Sequence, residues 1–228
     1  MTDLVLLHGA LGDAGQLAPL ATRLGDGRRV VVIELEGHGA TPLRDRPLRI
    51  ESFADDVIAH LDRQGIGRAD IFGYSMGGYV ALYLAATSSA RIARVATLAT
   101  KLAWTPEVAA RESAMLDPVA IRAKVPRFAA ALEARHTGAG WEALLAHTAE
   151  LLHELGARPR VSEALLASVT QPVRIGVGDR DATVTIEECA AAVRQLAIGE
   201  LEVHPRTPHA FEKVSLDRLA RSLEEFFA

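Results

Sequence analysis

A serine flanked by glycines, an acid pair after another glycine, and a late histidine are the residues whose types and order suit nucleophilic catalysis. They are Ser75 in Gly73-Tyr74-Ser75-Met76-Gly77-Gly78, Asp179 and Asp181 in Gly178-Asp179-Arg180-Asp181, and His209 in Thr207-Pro208-His209-Ala210-Phe211-Glu212-Lys213. A serine hydroxyl is a poor nucleophile until a base takes its proton, and that base needs an acid to orient it. Serine, acid and histidine follow one another along the chain in that order. Random placement of the 18 glycines and nine serines would produce G-x-S-x-G only roughly 0.06 times in such a chain.

Of the two acids, Asp181 is the better placed, because it lies beyond the tight turn expected at Gly178, whereas Asp179 is expected to cap that turn. The other histidines fit the base less well. His204 ends a strand-like run, His60 lies on a helix face, and His136, His147 and His153 fall in a helical region where packing or solvation is expected. His8 and His38 sit in glycine-containing loops and are expected to support backbone geometry. Attack on a carbonyl also requires donors for the oxyanion, typically backbone amides. Those expected are Met76, at the start of a helix, and Ala10, in the turn after His8-Gly9.

The elements that must position these groups are read from two alternating signals, short apolar β-branched runs and longer segments with helical spacing. Strands are expected at 3–7, 29–35, 70–73, 92–98, 173–177 and 201–204, and helices at about 16–24, 52–64, 76–86, 186–196 and 215–227. The Val/Ile run at 29–35 reads as a strand buried on both faces, and Ser52 with Asp55 as a capping-box-like helix start. Between 101 and 170 there is no convincing strand. Thr105-Pro106 and Asp117-Pro118 read as helix starts, Pro126 as a break, and Gly156 as the end of a helix begun near Gly140. Repeated strand and helix units imply a doubly wound, mainly parallel sheet of six or seven strands, with sites at the carboxyl ends of the strands. The expected organisation is a core of 1–100 and 171–228 with a helical insertion at 101–170.

Bulk properties exclude other classes. With 228 residues, 49% apolar and 24% charged, the chain has the composition of an ordinary globular protein. Its one cysteine, Cys189, permits no intramolecular disulfide, and its net charge of −4 is spread along the chain. A nucleic-acid partner is not expected without a concentrated basic face, nor a membrane partner without a long apolar span. The early apolar run at 4–7 lies too close to Met1 for a charged leader to precede it, so a cytoplasmic location is expected. Without a strand-linked G-x-G-x-x-G, a phosphate loop or H-E-x-x-H, neither a cofactor nor a metal is expected. The partner is a small-molecule substrate, and oligomeric state is not legible.

Together these motifs resemble those of the α/β-hydrolase superfamily. Leu7-His8-Gly9-Ala10 is similar to its oxyanion motif, Glu36-Gly37-His38-Gly39 to its loop after the second strand, and Gly73 to Gly77 to its nucleophile elbow. Gly178 to Asp181 resembles its acid turn and His209 its histidine loop. The resemblance implies that 101–170 is the variable cap these enzymes insert before the acid-bearing strand. Two features depart from the pattern: the antiparallel hairpin that opens many members does not precede the first strand, and Glu36 stands where a small residue or proline is common. Apolar cap residues usually line the pocket, which makes Trp104, Phe128 and Trp141 candidate substrate contacts, with Met115 a further apolar cap residue; Lys101 joins them because it and Trp104 come just after the fourth strand, close to the catalytic edge.

The implied activity is hydrolysis of a small or medium, largely apolar carboxylic ester through an acyl-enzyme. Serine in place of aspartate argues against dehalogenase or epoxide hydrolase chemistry. Two alternatives share the fold. One is carbon–carbon bond hydrolysis or proton abstraction with elimination, since Leu7 to Asp13 and Gly73 to Gly78 are also similar to motifs of the menaquinone-pathway elimination enzyme. Its polyanionic substrate would call on Arg122, Arg127 and Arg135. The other is a non-catalytic ligand receptor.

Overall fold

A computed structural model describes residues 2–228. Six strands, β1 (Asp3–Leu7), β2 (Val30–Ile33), β3 (Ala69–Tyr74), β4 (Ile92–Leu98), β5 (Val173–Gly178) and β6 (Gly199–His204), form one parallel sheet in the order β2-β1-β3-β4-β5-β6. Connections between parallel strands must cross over a sheet face, and the helical segments do so. The chain is thus α/β, as its alternation of patterns predicts.

The period-two alternation of strands decides which helices cover which face. From β1, Val5 and Leu7 pack with α2 (Ile50–Arg63) and α3 (Met76–Thr87), while Leu4 and Leu6 pack with α1 (Ala14–Leu24) and α10 (Leu216–Phe226). Every residue of β3 is buried, as its central place requires. The register pairs Leu7 with Gly73 and Gly73 with Thr97, which aligns the carboxyl ends of β1, β3 and β4 on one edge. At the opposite end of β3, the buried Asp70 carboxylate is held by Arg28 at 2.7 Å and Arg94 at 2.9 Å. Arg94 also donates to the carbonyls of Phe226 and Phe227 and so closes the last helix onto the sheet.

Between β4 and β5 the chain forms α4 (Pro106–Ser113), α5 (Pro118–Lys124), α6 (Pro126–Arg135), α7 (Trp141–Ala157) and α8 (Glu163–Ser168). The proline-linked starts are real caps: Thr105 accepts the Val108 amide, and Asp117 those of Val119 and Ala120. Pro126 does more than break a helix, since it occupies the first turn of α6, where the absent N–H costs nothing.

Three local expectations are corrected. Strand β2 is an edge strand with a neighbour on one side only, and Val30, Val31 and Val32 are half-buried there. Helix α2 starts at Ile50 with Arg49 at its N-cap and no side-chain cap, so Ser52 lies inside the first turn. Gly156 lies within α7 and does not stop it. A Cβ there would come within 2.5 Å of the Ala109 side chain, and the glycine lets α4 and α7 lie close together. Helix α9 (Ile186–Val193) carries the capping box, between Thr185 and Glu188. Among the described residues no helix is long and apolar enough to cross a membrane.

Candidate active site

Strand β3 runs into Ser75, whose backbone sits at φ 51° and ψ −115°, and α3 begins at the next residue. Such a conformation costs a non-glycine residue about 1–3 kcal/mol and persists only where its surroundings enforce it. Here the Ser75 amide donates to the Leu98 carbonyl at 2.8 Å, and the Thr100 hydroxyl donates to the Ser75 carbonyl at 3.1 Å. The flanking glycines are steric necessities: a Cβ on Gly73 would lie 2.4 Å from the Gly77 backbone, and one on Gly77 would lie 2.3 Å from the Leu7 carbonyl oxygen. The turn is sharp enough to lift the serine side chain off the sheet edge.

His209 reaches this serine from the loop after β6. Its Nε2 is 3.4 Å from Ser75 Oγ, and its Nδ1 is 2.9 Å from Asp181 Oδ2. The serine contact is long, as such contacts are before substrate binds. The Asp181 side chain is fully buried, and its other oxygen accepts the amides of Thr183 and Val184 at 2.8 and 2.9 Å. Burial opposes its ionisation, but the His209 bond and the two amides outweigh it and hold the carboxyl below its ordinary range. Asp179 does not face His209. Its carboxylate accepts the Thr207 amide at 3.1 Å, which ties the acid turn to the histidine loop. Tyr74 adds a second tether, donating its hydroxyl to the His209 carbonyl at 2.7 Å.

Ala10 and Met76 line the same cavity as Ser75 and His209. Met76 is the first residue of α3, where amides have no partner within the helix. Beside Ala10, Leu11 stands at φ 60°, and its carbonyl accepts from Arg135 Nη1 at 2.9 Å and from His136 Nε2 at 3.1 Å. The helical insertion therefore holds this loop in shape. His136 is buried, with Nδ1 accepting the Gly39 amide at 3.0 Å, a structural role that helical spacing alone does not reveal.

His136 packs with His38 and His8 in a buried cluster, with ring centroids 5.8 and 4.9 Å apart. His8 accepts the Leu35 amide on Nε2, and His38 bonds the Glu36 carbonyl through Nδ1. Each ring fits in its neutral form. Burial pushes His8 down to about 4; burial and the neighbouring His8 and His136 rings lower His38, and burial with the Arg135 charge lowers His136. Because the folded values lie below the unfolded 6.5, the unfolded chain takes up protons first as pH falls, and stability drops below that point. By pH 4, His8 alone removes about 3 kcal/mol. A urea midpoint that falls steadily from pH 6.5 to about 5, above the titration of most carboxylates, is the expected result; a flat profile would contradict it.

The departure at Glu36 has a structural account. Its buried carboxylate accepts the Arg44 amide at 2.9 Å and pairs with Arg46 at 2.6 Å, so it closes the loop that follows it.

The cavity above Ser75 has a volume of about 250 Å³ and lies between the sheet edge and helices of the insertion. Ile50, Met76, Leu151 and Leu155 make its walls largely apolar, with Met115 and Leu116 contributed from the short 3-10 turn that follows α4. Lys101 and Trp104 line it, as expected, but the Lys101 ammonium is committed to the Thr183 carbonyl at 2.8 Å and to Glu188 at 3.6 Å. Phe128 and Trp141 do not line it. Phe128 is exposed on α6, and Trp141 is buried in a separate cluster with Ile121, Leu132 and Leu145, under the Arg122 guanidinium. Arg122, Arg127 and Arg135 are likewise absent from the lining. Among the lining residues that the motifs did not reveal, Ile50 and Tyr79 come from α2 and α3, Thr183 from the loop after β5, and Glu112 and Thr148 from α4 and α7; isolated residues on helix faces carry no sequence signal of facing the site.

The family model for the alpha/beta hydrolase fold matches residues 3–199. The chain is 33% identical over 97 residues to esterase YbfF of Escherichia coli, covering 42% of this chain and 38% of that protein. It is 42% identical over 81 residues to a pimeloyl-[acyl-carrier protein] methyl ester esterase of Neisseria meningitidis, covering 36% of this chain and 30% of the relative. The matches thus span well under half the length of these relatives. Among solved structures, a thermophilic esterase from Thermogutta terrifontis superposes with a TM-score of 0.80 over 100% of this chain and 89% of its own, at 23% identity. That likeness concerns the fold.

Proposed function

The chain belongs to the alpha/beta hydrolase fold family, and from that premise we propose that it is a serine esterase acting on small or medium, largely apolar carboxylic esters. The observation that carries this reading is the hydrogen-bonded line from Ser75 Oγ through the His209 ring to the buried Asp181 carboxylate. His209 takes the serine proton as Ser75 attacks the ester carbonyl, and Asp181 holds the ring in the tautomer that can accept it. The Ala10 and Met76 amides receive the negative charge on the carbonyl oxygen. His209 then protonates the departing alcohol, and water, activated by the same histidine, releases the acid from Ser75.

The segment 101–170 serves as a cap, and its α4 and α7 side chains give the pocket its apolar character. Esterase activity in two relatives points the same way. A polyanionic substrate would meet no arginine in this cavity and a lysine already paired with Glu188, so the elimination reading finds less support.

The test is turnover of p-nitrophenyl acetate and butyrate together with labelling by a fluorophosphonate probe. Hydrolysis of both esters, and a single probe adduct mapped to Ser75, is the expected result. Absence of turnover with no adduct would overturn the reading, and an adduct without turnover would favour a ligand receptor.

A further inference from the structure

The turn that carries Ala10 contains two linked peptide planes. A peptide is planar, with its carbonyl and its N–H pointing in opposite directions, so a group that holds the carbonyl also aims the amide. The Ala10 amide belongs to the Gly9–Ala10 peptide, and the carbonyl of that peptide, on Gly9, accepts the Gly12 amide at 3.1 Å. It also bonds His8 Nδ1 at 2.9 Å. Because His8 Nε2 already accepts the Leu35 amide, the ring proton is on Nδ1 and is donated to Gly9.

The Gly12 amide in turn belongs to the Leu11–Gly12 peptide. The carbonyl of that peptide, on Leu11, is the one that accepts from Arg135 Nη1 at 2.9 Å and from His136 Nε2 at 3.1 Å. Both donors stand at the end of α6, in the insertion, and both are themselves fixed. His136 is 1% exposed, and its Nδ1 accepts the Gly39 amide at 3.0 Å, which leaves Nε2 as the donor to Leu11. Arg135 also lies 3.7 Å from the Asp13 carboxylate, the cap of α1. Leu11 stands at φ 60°, a conformation that a leucine keeps only where its surroundings enforce it.

One line of hydrogen bonds therefore runs from the insertion to the wall of the Ser75 cavity. Arg135 and His136 hold the Leu11 carbonyl, the amide of the same peptide holds the Gly9 carbonyl, and the amide of that next peptide is Ala10, which lines the cavity. Peptides bonded in series also polarise one another, which strengthens the last donor.

We propose that Arg135 and His136 are positioning residues for ester hydrolysis, which aim the Ala10 amide at the oxyanion through the Leu11–Gly12 and Gly9–Ala10 peptides. The insertion then completes the catalytic site as well as covering it. This rests on the esterase reading above, with Ala10 as an oxyanion donor, and adds the residues that set that donor's direction. A donor aimed at charge that develops only in the transition state acts on the rate and little on ester binding.

The experiment compares Arg135→Met, His136→Phe and the double variant with the parent, with every rate expressed per active site after complete titration with a fluorophosphonate probe. For p-nitrophenyl butyrate, kcat is expected to fall about tenfold in each single variant and about a hundredfold in the double, with KM within about twofold of the parent. A chain-matched trifluoromethyl ketone supplies the second readout. Ser75 Oγ bonds to its carbonyl carbon, the serine proton passes to His209, and the carbonyl π pair moves to the oxygen, which becomes the anion the two amides hold. Its inhibition constant should rise by the factor by which kcat falls. His136→Gln, which keeps an N–H for the Leu11 carbonyl, should recover most of the loss.

A purely structural role would lower the melting temperature or the number of titratable sites and leave the per-site rate and the ketone affinity unmoved; that result overturns the inference, as does a loss confined to KM. Should His136→Phe fail to fold, Arg135→Met carries the test, since that side chain is partly exposed. No turnover of any ester by the unsubstituted protein defeats the esterase reading. Turnover by the parent, with per-site rate and ketone affinity unchanged in Arg135→Met, defeats this inference alone.

Discussion

Ser75→Ala is expected to lower kcat/KM for p-nitrophenyl butyrate by about a million-fold, with the melting temperature little changed. The size of the loss follows from what remains. Without the hydroxyl there is no acyl-enzyme, and His209 has no nucleophile to deprotonate, since its Nε2 faces Ser75 Oγ at 3.4 Å. On the proposed mechanism the Ala10 and Met76 amides and the apolar pocket would still bind and polarise an ester, so slow attack by water sets the expected floor. The fold should tolerate the change because the backbone at φ 51° is held by the Leu98 and Thr100 contacts to main-chain atoms, and the serine side chain caps nothing. Steady-state kinetics and a thermal melt on the same preparation check both halves. Residual activity within tenfold of the parent would mean that another residue is the nucleophile.

Asp181→Asn is expected to lower kcat about ten-thousand-fold, again with the structure retained. The asparagine oxygen can still accept the Thr183 and Val184 amides, which keeps the side chain in place and leaves its NH₂ facing His209 Nδ1. That contact now suits a histidine whose proton is on Nε2, and such a ring cannot take the serine proton. The carboxylate that would stabilise the imidazolium is lost at the same time. Asp179→Asn is the matched control: its carboxylate bonds only the Thr207 amide in the neighbouring loop, so a far smaller loss is expected. If the two variants lost activity equally, the assignment of Asp181 over Asp179 would fail.

Part of the site was legible because its constraints are local. Gly73 is demanded by the backbone of Gly77 and Gly78, a few residues on, whereas Gly77 is demanded by the Leu7 and His8 backbone of the neighbouring strand; the order of the candidate residues Ser75, Asp181 and His209 follows from three strand-to-loop junctions of an alternating chain. The choice between Asp179 and Asp181 also follows from the turn at Gly178, although the true partner of Asp179 is the Thr207 amide and not its own turn. Lys101 and Trp104 fell on the pocket because they directly follow β4, whose end the sheet register fixes beside Ser75.

The insertion was legible only as helices. Phe128 and Trp141 had the residue types of a substrate pocket, yet one faces solvent and the other fills a small core of its own. Helical spacing tells which residues share a face. It does not tell whether that face meets the sheet edge, another helix or water. For the same reason His136 read as a packing or solvated residue, although it and Arg135 reach across to the Leu11 carbonyl and shape the loop that carries Ala10.

The amino-acid sequence by itself pointed to the parallel α/β plan, the turn at Ser75 and the candidate serine, acid and histidine that the fold brings together. Each is announced by residue types and spacing along the chain, although the neighbouring strands supply the Leu98, Thr100 and Leu7 contacts that complete the turn at Ser75. Only the tertiary structure decided what surrounds them. The neutral His8, His38 and His136 cluster brings together residues 30 to 128 positions apart in sequence. The apolar cavity joins the sheet edge to α4 and α7, and places Glu112 and Thr148 on its wall. Those contacts are between faces of separate elements, and their geometry is set by how the helices dock, which no local pattern encodes.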